Sequence, residues 1–128
     1  MPSISKQAVE YVIDYEEKLG RNVVDVQSNR NFRGFDLFSF SKKDKNDIKT
    51  IEVKGTNSST GIPDCFETEF TRSKKLIATH MYVVSFANLR NPVLYIIPAN
   101  AFKPEHLSEV VHYKICREFT NKLEQYKV

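Results

Sequence analysis

The chain contains no tryptophan and few cysteines, glycines or prolines: 2, 4 and 5 of them among 128 residues. Two cysteines, Cys65 and Cys116, are too few for a secreted disulfide framework. His112 and Cys116 have the spacing of a helical metal pair, but no Cys/His cluster supplies the remaining zinc ligands. No apolar run reaches the length of a membrane span, and the N-terminus lacks a signal-peptide pattern. We therefore expect a cytoplasmic protein without a membrane partner.

The residues that are present suit one ordinary globular domain, which we predict over 1–128. The composition is 41% hydrophobic and 27% charged, enough to build a single core. The formal net charge of +3 permits a nucleic-acid partner without requiring one. Two basic groups are present: Arg21, Arg30 and Arg33, and later Arg72, Lys74 and Lys75. These groups are either phosphate contacts or solvated surface charge, and the sequence leaves both interpretations open.

Hydrophobic periodicity predicts alternating helices and strands. The first helix is capped by Ser3 or Ser5 and runs to about Leu19. The predicted strands are 22–26, 35–40, 48–54, 66–70, 81–86 and 93–97. A second helix is predicted from Thr71 to about residue 79. A final helix from Pro104 to near Tyr126 is predicted from an apolar residue at every fourth position. The order indicates a mixed α/β domain with an added C-terminal helix.

The most informative residues of the chain are Asp36 and the pair Glu52 and Lys54. Glu52 and Lys54 are two positions apart in a predicted strand, so they point to the same face. A hairpin centred near Asp44 or Lys45 would place Asp36 opposite Glu52 or Lys54, about 5 Å apart at Cβ. Two carboxylates at that distance repel each other, and a hard cation such as Mg²⁺ relieves the repulsion. The alternative is a cross-strand salt bridge on an exposed face.

Each member of this set has a chemical task in the metal-site interpretation. Asp36 and Glu52 would hold the cation, and the backbone carbonyl of Val53 could add an oxygen ligand. Lys54 could orient or activate a water molecule, or balance charge on the pentavalent transition state.

The first helix offers a fourth acid. Helical geometry places Glu16 about 70° from the centre of the apolar face, at its edge. Glu10 and Glu17 fall on the far side and are predicted to be solvated. Glu16 therefore either leans toward the sheet as a further ligand or is an amphipathic boundary residue.

These residues resemble the two halves of the signature of the PD-(D/E)XK nucleases, a superfamily that includes restriction endonucleases and Holliday-junction resolvases. The closer resemblance is to a branch attached to helicases and restriction-like proteins, typified by the C-terminal domain of the plant protein NO VEIN. The matching elements, in order, are Tyr15-Glu16, Gly20-Arg21, Gly34-Phe35-Asp36 and Ile51-Glu52-Val53-Lys54-Gly55.

The resemblance covers about residues 8–98 and implies a restriction-endonuclease-like αβββαβ core. It implies a DNA endonuclease that uses Mg²⁺, or Mn²⁺ in its place, with Asp36, Glu52 and Lys54 at the motif positions and Glu16 as the helix acid. A homodimer would let two such sites address two strands. The rival interpretations are a non-catalytic nucleic-acid-binding module that acts with a helicase or restriction partner, and an interaction domain with an incidental salt bridge.

The sequence also departs from the pattern of the branch at two places. Phe35 replaces the signature proline, and Thr71-Arg72-Ser73-Lys74 replaces a threonine followed by an acid. The second departure makes the predicted helix start basic. It would suit either a DNA phosphate, held by Arg72 and Lys74, or ordinary capping by Thr71.

Overall fold

The structure of the chain is a computed structural model. It describes residues 2–29, 34–57, 66–68, 75–103, 107–108, 113–115 and 117–128. The predictions for the basic side chains Arg30, Arg33, Arg72 and Lys74, and for Cys65, His112 and Cys116, lie outside these described residues.

Helix α1 spans Ile4–Lys18, close to the predicted bounds. Its N-cap is Ser3, whose hydroxyl accepts the N–H of Lys6 at 3.1 Å, as expected for a serine cap. Gly20 follows the end of the helix with a φ of 80°, a left-handed conformation that glycine adopts without steric cost. The helix buries one apolar stripe and, within it, the side chain of Glu16.

A five-stranded mixed sheet forms the centre of the fold, in the order β1-β2-β3-β5-β6. Strands β3 and β5 are parallel, and the other neighbours are antiparallel. Strands β4, β8 and β7 form a second, three-stranded sheet. The strands are β1 Arg21–Asp25, β2 Leu37–Ser41, β3 Ile48–Thr56, β4 Phe66–Thr68, β5 His80–Ser85, β6 Val93–Pro98, β7 Leu107–Ser108 and β8 Tyr113–Ile115. The predicted mixed α/β class is confirmed.

The central sheet has a core cluster on each face. The face toward α1 buries Ala8, Val9, Val12, Leu37, Ile51, Val53, Tyr82, Val84, Phe86 and Leu94. The opposite face buries Leu76, Ala78, Met81, Val83, Tyr95, Ile97, Phe102, Ile115, Phe119 and Leu123. Because side chains alternate along a strand, odd-numbered residues of β3 face α1 and even-numbered ones face away. The second cluster lies on β5 and β6, so it covers that half of its face.

The predicted long C-terminal helix is wrong. Residues 107–108 and 113–115 are strands, helix α2 is limited to Arg117–Thr120, and Leu123–Tyr126 is a 3₁₀ turn. The fourfold apolar spacing did mark buried residues, since Ile115, Phe119 and Leu123 are all fully buried. These three residues come from the end of a strand, a short helix and a 3₁₀ turn, which together bury them as one long helix would. The aromatic and β-branched residues around position 113 favour a strand there.

The predicted second helix is also wrong where the structure describes it, because residues 75–79 are not helical. Thr79, at the end of this stretch, is bonded to β3 and not to a helix. Its N–H donates to Thr50 Oγ1 and its hydroxyl donates to the Thr50 carbonyl, both at 2.9 Å, so these groups are tied to β3. An amide bonded in this way is not available to a carbonyl of the preceding turn.

Within the described ranges, no helix is long and apolar enough to cross a lipid bilayer.

Candidate active site

The β2–β3 hairpin brings the predicted motif residues together. Leu37 pairs with Ile51, which centres the hairpin on residue 44, as predicted. The N–H of Asp36 donates to the Ile51 carbonyl at 2.8 Å, so Asp36 directly precedes the paired strand. The paired register ends at Leu37 and Ile51, and Asp36 lies one residue before β2, bonded to the main chain of β3. Glu52 and Lys54, two residues apart in β3, lie on the sheet face that points away from α1.

The Asp36 carboxylate is fixed by the neighbouring strand. Its Oδ2 accepts the backbone N–H of Val53 at 2.8 Å. Among the described residues, its second oxygen has no hydrogen-bond partner. A carboxylate with one anchored and one open oxygen has a fixed direction and can still bind a ligand.

A magnesium ion suits the donors at this place. Glu52 and Lys54 are partly exposed, as is Asp36, so the face is accessible. In the described part of the chain, no group of three or more His, Cys, Asp or Glu side chains is close enough to hold a metal ion. Mg²⁺ commonly binds one or two carboxylates and completes its shell with water and phosphate oxygens. Asp36 and Glu52 are the two carboxylates that could make such a set, with the Val53 carbonyl as a further hard oxygen.

Glu16 does not join this set, contrary to the prediction. It lies on the helix-facing side of the sheet, where Ile51 and Val53 also point. Glu52 and Lys54 point to the other side, so the sheet separates them from Glu16. Helical geometry correctly turned Glu16 toward the sheet, but it could not show which face of the sheet the helix would cover.

Glu16 instead forms the centre of a buried polar network, although it is 0% exposed. Its carboxylate accepts hydrogen bonds from Ser39 Oγ at 3.1 Å and Tyr82 OH at 3.0 Å. Arg21 Nε and Lys49 Nζ form ion pairs with it at 3.5 and 3.4 Å. A buried carboxylate with two cations and two hydroxyl donors is well compensated. Its position indicates a role in holding α1 on the sheet.

With this geometry established, comparison with known families becomes informative. A family model described as Protein NO VEIN, C-terminal, matches residues 4–97. The chain belongs to this NO VEIN C-terminal family. The matched residues begin with α1 and end in β6, so they include the Asp36–Glu52 site and the Glu16 network. Neither a curated protein nor a solved structure matches the chain.

Arg21 of this NO VEIN C-terminal domain, which the sequence offered as a phosphate contact or a surface charge, is a buried structural residue. Its Nε donates to Ser39 Oγ at 2.8 Å, and its Nη2 donates to the Ser39 and Asp47 carbonyls at 3.2 and 3.0 Å. Its Nη1 pairs with the Asp47 carboxylate at 3.0 Å, and this guanidinium holds the pKa of Asp47 below its ordinary value. The Gly20-Arg21 element of the motif is the signal that pointed to it.

Tyr82 completes the network of the NO VEIN C-terminal domain from the middle of the sheet. Burial raises the pKa of its phenol far above the ordinary value, and the negative charge of Glu16 raises it further. The phenol therefore stays protonated and can donate to Glu16, while Lys49 Nζ donates to its oxygen at 3.0 Å. Burial, followed by the charge of Lys49, lowers the pKa of the adjacent His80.

Proposed function

We propose that this NO VEIN C-terminal domain is a metal-dependent DNA endonuclease with Asp36, Glu52 and Lys54 at its reacting centre. The observation that supports the proposal is the contact of Asp36 with β3. Asp36 bonds to the Ile51 carbonyl and the Val53 N–H, the main-chain neighbours of Glu52 on either side, and Lys54 follows in the same strand.

The electrostatics of the pair support a cation site. Asp36 is bonded to the main chain on both sides of Glu52, and carboxylates brought close together repel each other. A structural role would be served better by an acid beside a base. Two acids followed by a lysine suit a centre that binds a divalent cation beside a phosphate group.

The roles of the residues follow from their positions. Asp36 and Glu52 would hold the ion, with the Val53 carbonyl beside them. When bound, the ion polarises the phosphodiester and lowers the pKa of a water molecule that attacks it. Lys54 presents its ammonium group on the same face, where it stabilises negative charge that develops on the phosphoryl oxygens or orients the attacking water.

The wider PD-(D/E)XK resemblance supports the same chemistry. In this chain the first half of the signature directly precedes β2 and the second half lies in the adjacent strand β3, after α1 and β1. The mixed sheet, with β3 parallel to β5, agrees with the implied αβββαβ core in its strands. The described part of the implied second helix does not agree, as noted above.

One observation favours a second candidate, a non-catalytic nucleic-acid-binding module that acts with a helicase or restriction partner. Oδ2 of Asp36 is already bonded to the Val53 N–H, so half of that carboxylate serves the fold. In this case the acids would shape a surface, and the partner would carry out the chemistry.

Nuclease assays with active-site variants test the proposal. Plasmid, branched and single-stranded DNA are incubated with Mg²⁺ or Mn²⁺ and either wild type, Glu52→Gln or Lys54→Met. Both substitutions should lower cleavage by about 100-fold or more while the fold is retained. Glu17→Gln, at an exposed position on α1, is the matched control and should cleave like wild type.

The same assay separates the two candidates. Cleavage that survives both active-site substitutions would refute the assigned centre. Absence of metal-dependent cleavage by the wild type, together with DNA binding in EDTA, would favour the binding module.

A further inference from the structure

The sheet face that carries Glu52 and Lys54 continues toward the hairpin tip as an apolar surface. We call this surface the aromatic patch, and it consists of Val24, Phe38, Phe40 and Ile48. Val24 is directly opposite Phe38, and Phe40 is directly opposite Ile48, so all four side chains share one face. The two phenylalanine rings lie side by side with centroids 5.9 Å apart.

The aromatic patch is accessible to solvent. Val24 and Ile48 are 48% and 46% exposed, and both rings are partly exposed. The core cluster on this side of the sheet is built on β5 and β6, and its described members include no residue of the patch. A contiguous apolar surface of this kind on a sheet commonly marks a binding site.

We propose that the aromatic patch binds single-stranded DNA, whose bases stack on Phe38 and Phe40 while a phosphodiester lies at Asp36 and Glu52. This inference deepens the proposed function and rests on it for the position of the cleaved phosphate. Along β2, the strand rise places the Cα atoms of Phe38 and Phe40 about 7 and 13 Å from that of Asp36. A DNA strand a few nucleotides long spans this distance, so one strand can contact the rings and the acids together.

The charges at the two ends of the aromatic patch suit a phosphate backbone. Lys42, Lys43 and Lys45 are exposed at the hairpin tip, and Lys54 lies beyond Asp36 at the other end. The same hairpin turn contains two acids, Asp44 and Asp47. Because the charge of Asp47 is balanced by Arg21, the three lysines and Asp44 give the turn a net positive charge. Cations flanking aromatic rings are the usual combination in surfaces that bind single strands.

Aromatic rings on an open sheet distinguish a single strand from a duplex. In a duplex the faces of the bases are stacked on one another, and only their edges and the backbone are accessible. A single strand can turn its bases onto side-chain rings, and such stacking depends little on sequence. Strand alternation places Phe38 and Phe40 on one face from sequence alone, but the sequence did not show that both rings stay partly exposed.

Fluorescence anisotropy with labelled oligothymidine and a duplex of the same length tests the proposal. The measurement is made in EDTA, so that no cleavage occurs. Phe38→Leu combined with Phe40→Leu keeps the apolar bulk but removes the rings. It should weaken single-strand binding by about 30-fold and leave duplex binding unchanged. Phe38→Tyr with Phe40→Tyr keeps the rings and should retain the affinity.

Leu19→Gln combined with Leu89→Gln is the matched control. Both leucines are exposed and lie outside the patch, so single-strand binding should change little. Thermal unfolding shows that each variant is folded. Sedimentation velocity of the wild type and of Val24→Thr combined with Ile48→Thr shows whether a second copy of the chain occupies the patch.

Three results would overturn the inference: equal binding of single strand and duplex by the wild type, unchanged binding after the leucine substitutions, or a wild-type dimer that the threonine substitutions dissociate. Ring-dependent binding in EDTA without cleavage in Mg²⁺ would leave the platform established and refute the nuclease. The two proposals therefore fail separately.

Discussion

The phenol of Tyr82 donates a hydrogen bond of 3.0 Å to the buried carboxylate of Glu16. This bond joins strand β5 of the five-stranded sheet to helix α1 through the core. Arg21 and Lys49 approach the other oxygen of the same carboxylate. Within the described residues, every buried side-chain nitrogen and oxygen has a hydrogen-bond partner. Removal of one member of the network therefore leaves the remaining members with unmet charges or bonds.

We expect Glu16→Ala to lower the free energy of unfolding by about 3 kcal/mol or more, because it leaves the buried Arg21 guanidinium and the partly buried Lys49 ammonium without their shared anion. Urea denaturation measures the change. Glu17→Ala, one residue along the same helix but exposed, should change stability by less than about 0.5 kcal/mol.

The opposite pattern would refute this role for Glu16. If Glu16→Ala unfolds at the wild-type urea concentration but loses metal-dependent cleavage, then Glu16 acts at the reacting centre and not in the core. Glu16→Gln refines the comparison, since it keeps the shape and an acceptor oxygen but removes the charge that Arg21 and Lys49 share.

The raised pKa of Tyr82 predicts that the folded chain loses stability at alkaline pH. The folded chain raises the pKa of this phenol above its ordinary value of about 10, so above that pH the unfolded state has lost a proton that the folded state retains. Stability from this group is complete below pH 10 and declines as the pH rises, by up to about 1.4 kcal/mol per pH unit. Tyr82→Phe should cost about 1–3 kcal/mol at neutral pH and should show a shallower alkaline decline. Equal alkaline slopes for the two proteins would contradict the assignment.

Asp36 allows its structural and chemical roles to be separated. Asp36→Asn keeps a side-chain oxygen that can accept the Val53 N–H, so the variant should unfold within about 0.5 kcal/mol of wild type. Asp36→Ala leaves that N–H without its acceptor and should cost about 1–3 kcal/mol. Both variants should lose metal-dependent cleavage. Cleavage by Asp36→Asn at the wild-type rate would show that the negative charge of Asp36 is not used.

The hairpin was predictable from sequence because its determinants are local. The polar run around Asp44 marks the turn, and a two-residue alternation then sets which side chains share a face. Together these bring Asp36 to β3, next to Ile51 and Val53, without any knowledge of the rest of the chain. The bond from Val53 to Asp36 was not predictable, since it depends on the rotamer that Asp36 adopts where β2 begins.

The partners of Glu16 could not be predicted from the sequence. Helical phase turned Glu16 toward the sheet, but Tyr82 is 66 residues away in the chain, and no local pattern relates the two. The C-terminal segment illustrates a different difficulty. The apolar residues at every fourth position correctly marked Phe119 and Leu123 as core residues. The same spacing can be buried by a helix or by a series of shorter elements, so it does not determine the backbone conformation.

Gly55, the last residue of the Ile-Glu-Val-Lys-Gly motif, supports a final prediction about how closely α1 approaches β3. A Cβ atom at this position would lie 2.8 Å from the Ala8 Cβ and 2.9 Å from the Ile4 carbonyl oxygen. Gly55→Ala should therefore push the helix off the strand and lower stability by about 1–3 kcal/mol. Gly20→Ala is a useful comparison, because its φ of 80° is strained for alanine although no atom lies within 4 Å of the added Cβ.

A double-mutant cycle distinguishes this clash from a general loss of flexibility. Ala8→Gly alone should cost about 1 kcal/mol in helix propensity, but combined with Gly55→Ala it removes one of the two closest contacts. The double variant should then be more stable than the sum of the single effects predicts, with a coupling of at least about 0.5 kcal/mol. Thermal or urea unfolding of the four proteins measures this coupling. Strictly additive effects would mean that the helix does not pack against Gly55, and that the motif glycine serves the neighbouring site and not the contact with α1.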